Sequence, residues 1–259
     1  MTQPFLFVFV GLFLGTLGTL IGAGGGFLLV PLLLILFPTI TPIEVTAISL
    51  FAVACNAISG SAIYALHERI HWPSALLFAA VGLPGAWIGP KLAQAVSRDL
   101  FSLLFTLMLL ILGLHLIFNK SQNHPTISSK HFVLSRGKLI LGAIVSFVTG
   151  VLASFLGIGG GIIHVPFLSQ VLKYPVHLAT GTSQFILAIT AIAATLGNWN
   201  SGHLNFAHGI EIPIAFGVVL GAQVGAQLAR RMSGTLILRI LGFALIAVAL
   251  RLGHSALTS

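Results

Sequence analysis

The sequence predicts an all-α integral membrane protein of about eight transmembrane segments. They form two homologous four-segment repeats in inverted orientation, and the first segment of each is broken at a glycine cluster. Three observations carry that expectation. Hydrophobic residues make up 57% of the 259 and charged residues only 6%, with mean hydropathy +1.08. A soluble domain carries about 25% charged residues, and one with so few could not cover itself in water. Uncharged apolar runs recur along the whole chain, as several membrane spans require. Finally, one stretch occurs twice: Gly22-Ala-Gly-Gly-Gly-Phe-Leu-Leu-Val-Pro31 and, 135 residues later, Gly157-Ile-Gly-Gly-Gly-Ile-Ile-His-Val-Pro166.

Residues 4–37 and 139–172 are apolar runs of 34 residues each. As straight helices they would extend about 51 Å at ~1.5 Å per residue, against a hydrocarbon core of ~30 Å. Tilt does not absorb that excess, but a break at Gly22–Gly26 and Gly157–Gly161 does. Each run is then a discontinuous span or a pair of half-helices that dips in and returns. The N-terminal run has no Lys or Arg before it and no small-residue cleavage site after it, and is expected to be a retained span rather than a signal peptide. After the turn Pro38-Thr-Ile-Thr-Pro42, spans are expected near 44–66, 72–96 and 100–118, then near 175–197, 206–229 and 235–253.

Between the halves, residues 119–138 form a polar, basic linker with Lys120, Lys130, Arg136, Lys138, His124 and His131. Residues 1–118 are repeat 1 and residues 139–259 repeat 2. Three further landmarks recur in order. Thr46-Ala-Ile-Ser49 matches Thr180-Gly-Thr-Ser183, and Ile70-His-Trp72 matches Leu204-Asn-Phe206. Gly85-x3-Gly89-Pro-Lys-Leu-Ala93 matches Gly221-x3-Gly225-Ala-Gln-Leu-Ala229. With the linker in the cytoplasm, inverted halves place Arg69, Lys173, Arg230, Arg231 and Arg239 inside, leaving Lys91, Arg98 and Arg251 outside. Parallel halves split the twelve cations evenly, so the positive-inside bias favours inversion. The same bias accounts for the net charge of +8, because Lys and Arg are not interleaved with aromatics as a nucleic-acid surface requires. Cys55 is the single cysteine, which excludes an intramolecular disulfide and a cysteine metal cluster.

In hydrocarbon, non-helical backbone survives only against protein or a water-filled cavity. A broken helix there offers backbone N–H groups and a partially positive end, and glycine lets a ligand come close. Gly22, Gly24, Gly25 and Gly26, with Gly157, Gly159, Gly160 and Gly161, are therefore the first candidates for binding a compact anion. Gly85, Gly89, Gly217, Gly221 and Gly225 read instead as close helix packing. Thr46, Ser49, Thr180, Thr182 and Ser183 offer hydroxyls to an oxyanion or, equally, to nearby helix carbonyls. Asn56 and Gln184 are amides inside spans that need partners, and His164 stands where the first copy has Leu29. Glu44 and Glu211 lie at span ends, where snorkelling to the interface is expected.

The paired Gly-x-Gly-Gly-Gly-x3-Val-Pro stretches, the Thr-x-x-Ser following each, and the two-half layout resemble the sulfite exporter TauE/SafE family of toluenesulfonate-uptake-type permeases, from about residue 5 to 253. The resemblance implies export of a small sulfur-containing anion, sulfite or an organosulfonate, across a bacterial plasma membrane. It implies no enzyme activity and no cofactor. The partners are then the small anion and the lipid bilayer. The alternative is a divalent-metal transporter using the loop-edge spacings His67-x3-His71 and His203-x4-His208-x2-Glu211. Nucleotide binding is excluded, since neither glycine stretch has the third fingerprint glycine or a Lys-Ser/Thr ending.

Overall fold

The computed structural model describes residues 4–118 and 134–258. The lysines and histidines of the linker at 120, 124, 130 and 131 lie outside the described residues, and its last three residues already belong to a helix. All regular structure among the described residues is helical. The order is α1 (Pro4–Ile21), α2 (Gly26–Leu36), α3 (Pro42–Leu66), α4 (Trp72–Gln94), α5 (Arg98–Phe118), α6 (Arg136–Leu156), α7 (Gly161–Pro166), α8 (Val176–Asn200), α9 (Glu211–Arg231) and α10 (Gly234–Thr258). Seven of these, α3, α4, α5, α6, α8, α9 and α10, are long and apolar enough to cross a membrane. Phe5–Ile21, Gly26–Leu36 and Gly161–Val171 are shorter apolar helices. The outer surface carries Phe5, Phe9, Ile111, Ile140, Phe243 and Leu250, all more than 60% exposed, as suits a lipid-facing wall.

Local chemistry sets the helix boundaries. Pro42 occupies the first turn of α3, where its missing N–H costs nothing. The Glu44 carboxylate accepts from the Thr41 N–H at 3.0 Å and the Thr41 hydroxyl at 2.6 Å. Glu44 therefore ties down a helix start instead of snorkelling. Arg98 closes the far end of α2 by donating from Nη1 to Pro38 O (2.8 Å) and Ile40 O (2.7 Å), and from Nη2 to Leu34 O (2.6 Å). Pro166 supplies no amide, and beyond α7 the chain widens into a π-helical turn, Phe167–Val171. Lys138 Nζ reaches Leu172 O at 3.3 Å, tying the end of that turn to the start of α6.

Contacts fix the direction of each element. Gly181, one turn into α8, abuts the backbone of Arg69 just past the end of α3, and Gly60 abuts Gln184, so α3 and α8 are antiparallel. The glycines 217, 221 and 225 of α9 meet the backbone of Val8, Leu12 and Thr16 in the same order, so α1 and α9 run side by side in one sense. Gly82, Gly85 and Gly89 of α4 meet residues 146, 147, 151 and 154 of α6 likewise. Consequently α1 rises from the end of the bundle where α9 begins, and α2 returns to that end. The α6–α7 pair is a second hairpin, entering and leaving by the opposite end. Gly25 lies against the Leu14 carbonyl and Gly18, as a chain doubling back requires. Gly113 and Gly242 bring α5 and α10 together antiparallel.

One end of the bundle thus carries Arg69, Arg136, Lys138, Lys173, Arg230 and Arg231, while the other carries Glu44, Lys91, Arg98, Asp99, His203, His208 and Glu211. Glu211 does not snorkel there. It is 1% exposed and neither carboxylate oxygen has a hydrogen-bond partner among the described residues.

A Cβ at Gly221 would run into the Leu12 carbonyl, whereas nothing lies within 4 Å of the Cβ position at Gly137. Gly221→Leu should therefore lower stability by roughly 3 kcal/mol or more through overpacking. Gly137→Ala should raise it by about 0.5–1 kcal/mol through reduced chain entropy. Thermal melts of both variants in detergent check the pair.

Candidate functional site at the paired glycine breaks

The two breaks meet in the middle of the molecule. α1 stops at Ile21 because Gly22 turns left-handed (φ 78°), followed by Gly24 (76°) and Gly25 (82°). α6 stops at Leu156 for the same reason, with Gly157 (72°), Gly159 (77°) and Gly160 (92°). Side chains are costly at such angles, so the conformation itself demands glycine. The released amides of Ala23 and Gly24 bond back to Gly18 O at 2.7 and 3.0 Å, and those of Ile158 and Gly159 bond back to Ala153 O at 2.9 and 3.4 Å. The first turns of α2 and α7 then start from Gly25 and Gly160, and helix starts carry N–H groups without internal partners.

The remaining glycines are required by contact. A Cβ at Gly26 would lie 2.7 Å from Gly157 O, and one at Gly161 would run into Gly22 O. A Cβ at Gly22 would lie 2.8 Å from Thr180 Cα, and one at Gly157 2.8 Å from Thr46 Cα. Gly24 and Gly159 both face the pair Val53 and Leu187. The hydroxyls repeat this exchange: Ser49 donates to Gly157 O at 2.6 Å and Ser183 to Gly22 O at 3.0 Å. Each break is thus held by the helix that follows the other break in the chain.

All sixteen residues singled out from the sequence are buried, but they fall into different groups. The eight glycines with Ser49 and Ser183 form the central contact. Thr46 and Thr180 line it with their backbones but donate their hydroxyls to Ile43 O (2.8 Å) and His177 O (3.0 Å) three residues back. Thr182 faces away and accepts from the His71 N–H at 3.0 Å. Asn56 and Gln184 meet each other across α3 and α8, with Gln184 Nε2 donating to Asn56 Oδ1 at 3.0 Å. Asn56 Oδ1 also accepts from Thr19 at 2.8 Å, and its Nδ2 donates to Gly15 O at 3.0 Å. Gln184 Oε1 is buried with no partner. His164 sits behind its own break, with Nε2 3.0 Å from Ser146 Oγ and Nδ1 unpartnered beside Gly160.

Thr19 and Tyr64 were not identified from the sequence. Thr19 anchors the amide pair, and Tyr64 donates to Thr19 O at 2.7 Å, locking the last turn of α1 before the break. The only signal for Thr19 was a hydroxyl one turn ahead of Gly22 in an apolar run.

His67 and His203 have other occupations. His67 Nδ1 donates to Ile63 O at 2.7 Å, which fixes the tautomer that lets Nε2 accept from Arg230 at 2.9 Å. His203 contacts Gln94. Among the described residues no three His, Cys, Asp or Glu side chains gather as a metal site.

The profile of the family described as sulfite exporter TauE/SafE matches residues 7–252. The chain is 27% identical over 273 residues to the "Probable membrane transporter protein YunE" of Bacillus subtilis, covering 98% of each chain. It is 30% identical over 233 residues to a "Probable membrane transporter protein" of Xylella fastidiosa, covering 89% of this chain and 87% of the relative. A third relative of that description, from Methanocaldococcus jannaschii, is 26% identical over 254 residues, with 92% of each chain covered. No solved structure matches. A multi-pass helical bundle whose relatives are membrane transporters, matched almost end to end by one profile, belongs to the sulfite exporter TauE/SafE family.

Proposed function

We propose that this membrane transporter is a secondary exporter of a small anion, sulfite or an organosulfonate, working by alternating access around the two glycine breaks. The observation that carries the reading is the reciprocal contact of the breaks: Ser49 on Gly157 O, Ser183 on Gly22 O, and each helix restart packed on the opposite break. Two hairpins entering from opposite ends, together with antiparallel α3 and α8, support eight segments in two inverted four-segment repeats joined by the basic linker. With the basic end in the cytoplasm of a bacterium, both termini are outside.

Helix starts at Gly26 and Gly161 provide backbone dipoles for an anion without any buried Lys or Arg, which suits a solute that must leave again. In the present contact the breaks touch, so passage requires the α1–α2 and α6–α7 hairpins to separate. Separation frees the Ser49 and Ser183 hydroxyls and uncovers the first-turn amides of α2 and α7 together. Thr46, Thr180, Asn56, Gln184 and His164 lie around that contact and, with Thr182 turned away toward His71, complete the proposed site. An anion leaving an inside-negative cell gains roughly 2.3 kcal/mol per charge per 100 mV, so export needs no coupling ion.

Flux of radiolabelled sulfite, other small anions and divalent metals into proteoliposomes tests the substrate class. Sulfite or sulfonate flux without metal flux is expected, and metal flux alone would overturn the reading. Gly25→Leu and Gly160→Leu place side chains at φ 82° and 92° and should each abolish anion flux while the protein still inserts. Ser49→Ala with Ser183→Ala should cut flux by about tenfold, the worth of one to two hydrogen bonds. A reporter fused to the C-terminus should report the periplasm, and a cytoplasmic signal would rule out this inverted orientation.

A further inference from the structure

The basic end of the bundle holds one guanidinium that turns inward. Arg69 lies in the loop between α3 and α4, where Glu68 adopts a left-handed φ of 54° and the Arg69 N–H donates to Tyr64 O at 2.9 Å. This folds the loop back over the end of α3. The Arg69 carbonyl rests on Gly181, where no side chain intervenes. Its side chain is half-buried, and its Nη1 is fully buried without a hydrogen-bond partner. Its electrostatic neighbours include the Tyr64 phenol and the Arg230 guanidinium. Burial and then Arg230 push Arg69 below the usual arginine range, with Tyr64 opposing.

His177, in the first turn of α8, lies within electrostatic reach of Arg69, and its Nδ1 is likewise buried without a partner. One turn further along α8 stands Thr180, beside the Tyr64 hydroxyl and in backbone contact with Gly22 of the first break. The two side chains therefore lie between the basic end of the bundle and the glycine contact. Leaving a guanidinium N–H and an imidazole nitrogen buried and unpaired costs stability unless an acceptor visits them.

The other end lacks this arrangement. Counting by the repeat that equates Thr180 with Thr46, Arg69 corresponds to His203, His177 to Ile43 and Tyr64 to Asn198. There His203 is engaged by Gln94 and faces the Glu44 carboxylate. The Arg69–His177 pair belongs to one mouth only, and it lies outside the duplicated motif.

We propose that Arg69 and His177 form a vestibule subsite for a small oxyanion at the basic end, holding the anion before it passes Thr180 and Gly22. This rests on the anion-transport reading above and adds the point of entry. A guanidinium N–H and an imidazole nitrogen, neighbouring and both without a partner, suit a carboxylate, sulfonate or sulfite oxygen, and Arg230 beside Arg69 adds attraction without bonding the ligand.

The test uses the purified full chain in proteoliposomes, with sulfite and methanesulfonate supplied to one face at a time. Arg69→Gln should raise KM for entry from the basic end by about tenfold, the worth of a charge-assisted hydrogen bond, with little change in maximal flux. Entry from the opposite face should be unchanged. Arg69→Lys should recover part of the loss, and His177→Gln should show a smaller rise of the same kind. Sulfite should also raise the melting temperature of the transport-blocked Gly25→Leu variant, and adding Arg69→Gln should remove that protection. Anion flux by wild type with KM unaltered in Arg69→Gln at both faces would overturn the vestibule while leaving the transport reading intact. No anion flux by wild type would overturn both.

Discussion

The structure depends on two stretches of backbone touching where no side chain fits. Gly22, Gly157, Gly26 and Gly161 bring carbonyls and Cα atoms of the two hairpins within van der Waals distance of each other or of Thr46 and Thr180. Gly24, Gly25, Gly159 and Gly160 supply left-handed turns that reverse the chain inside the bundle. Neither demand alone needs so many glycines. Together they leave no glycine in either cluster that tolerates a Cβ. A non-helical reversal in hydrocarbon must satisfy its own amides, and both hairpins do so by returning them to the last turn of the preceding helix, Gly18 O and Ala153 O.

The pairing is nearly symmetric, but the surroundings are not. Around the first break lie Thr19, Asn56, Tyr64 and Gln184, joined by hydrogen bonds. Counting by the glycine motif for Thr19 and by Thr46 and Thr180 for the rest, the places around the second break hold Ser154, Thr190, Asn198 and Leu50. There Ser154 and Thr190 donate to carbonyls of their own helices, at 2.5 Å to Gly150 O and 3.0 Å to Ile186 O. His164 and Ser146 instead polarise the back of the second hairpin. One side is a cross-linked polar cluster and the other a set of self-satisfied hydroxyls. Such a difference gives the two hairpins unequal resistance to displacement.

Much of this was legible in the sequence because membrane solvent narrows the choices. Run length against bilayer thickness called for a break; α1 and α6 end at Ile21 and Leu156, next to the doubled glycine motif. The cations favour opposed halves in the sequence, and α3 and α8 run antiparallel. What composition could not convey was which hydroxyl is already spent. Thr46 and Thr180 look identical to Ser49 and Ser183 as sequence, yet the threonines bond within their own helix and the serines reach across. That outcome depends on rotamer and helix proximity, not on residue type. Glu44 and Glu211 show the same limit: each opens a span, but one carboxylate holds a helix cap and the other is enclosed.

The separation of charge from the central contact has an electrostatic logic. A fixed guanidinium at the midplane would be costly to bury and would hold an anion too firmly to release it. Backbone dipoles are neutral overall, so glycine breaks can greet an anion without that burden and without becoming a trap. Dipoles act only at short range, however, and cannot gather a dilute solute from water. A cation at the mouth does so, because its field extends to about a Debye length at physiological salt. Arg69 stands in the loop and Gly22 deeper in the bundle, with Thr180 between them. On the proposed anion path, the order of these groups would let attraction be strong where the anion must be found and weak where it must move on.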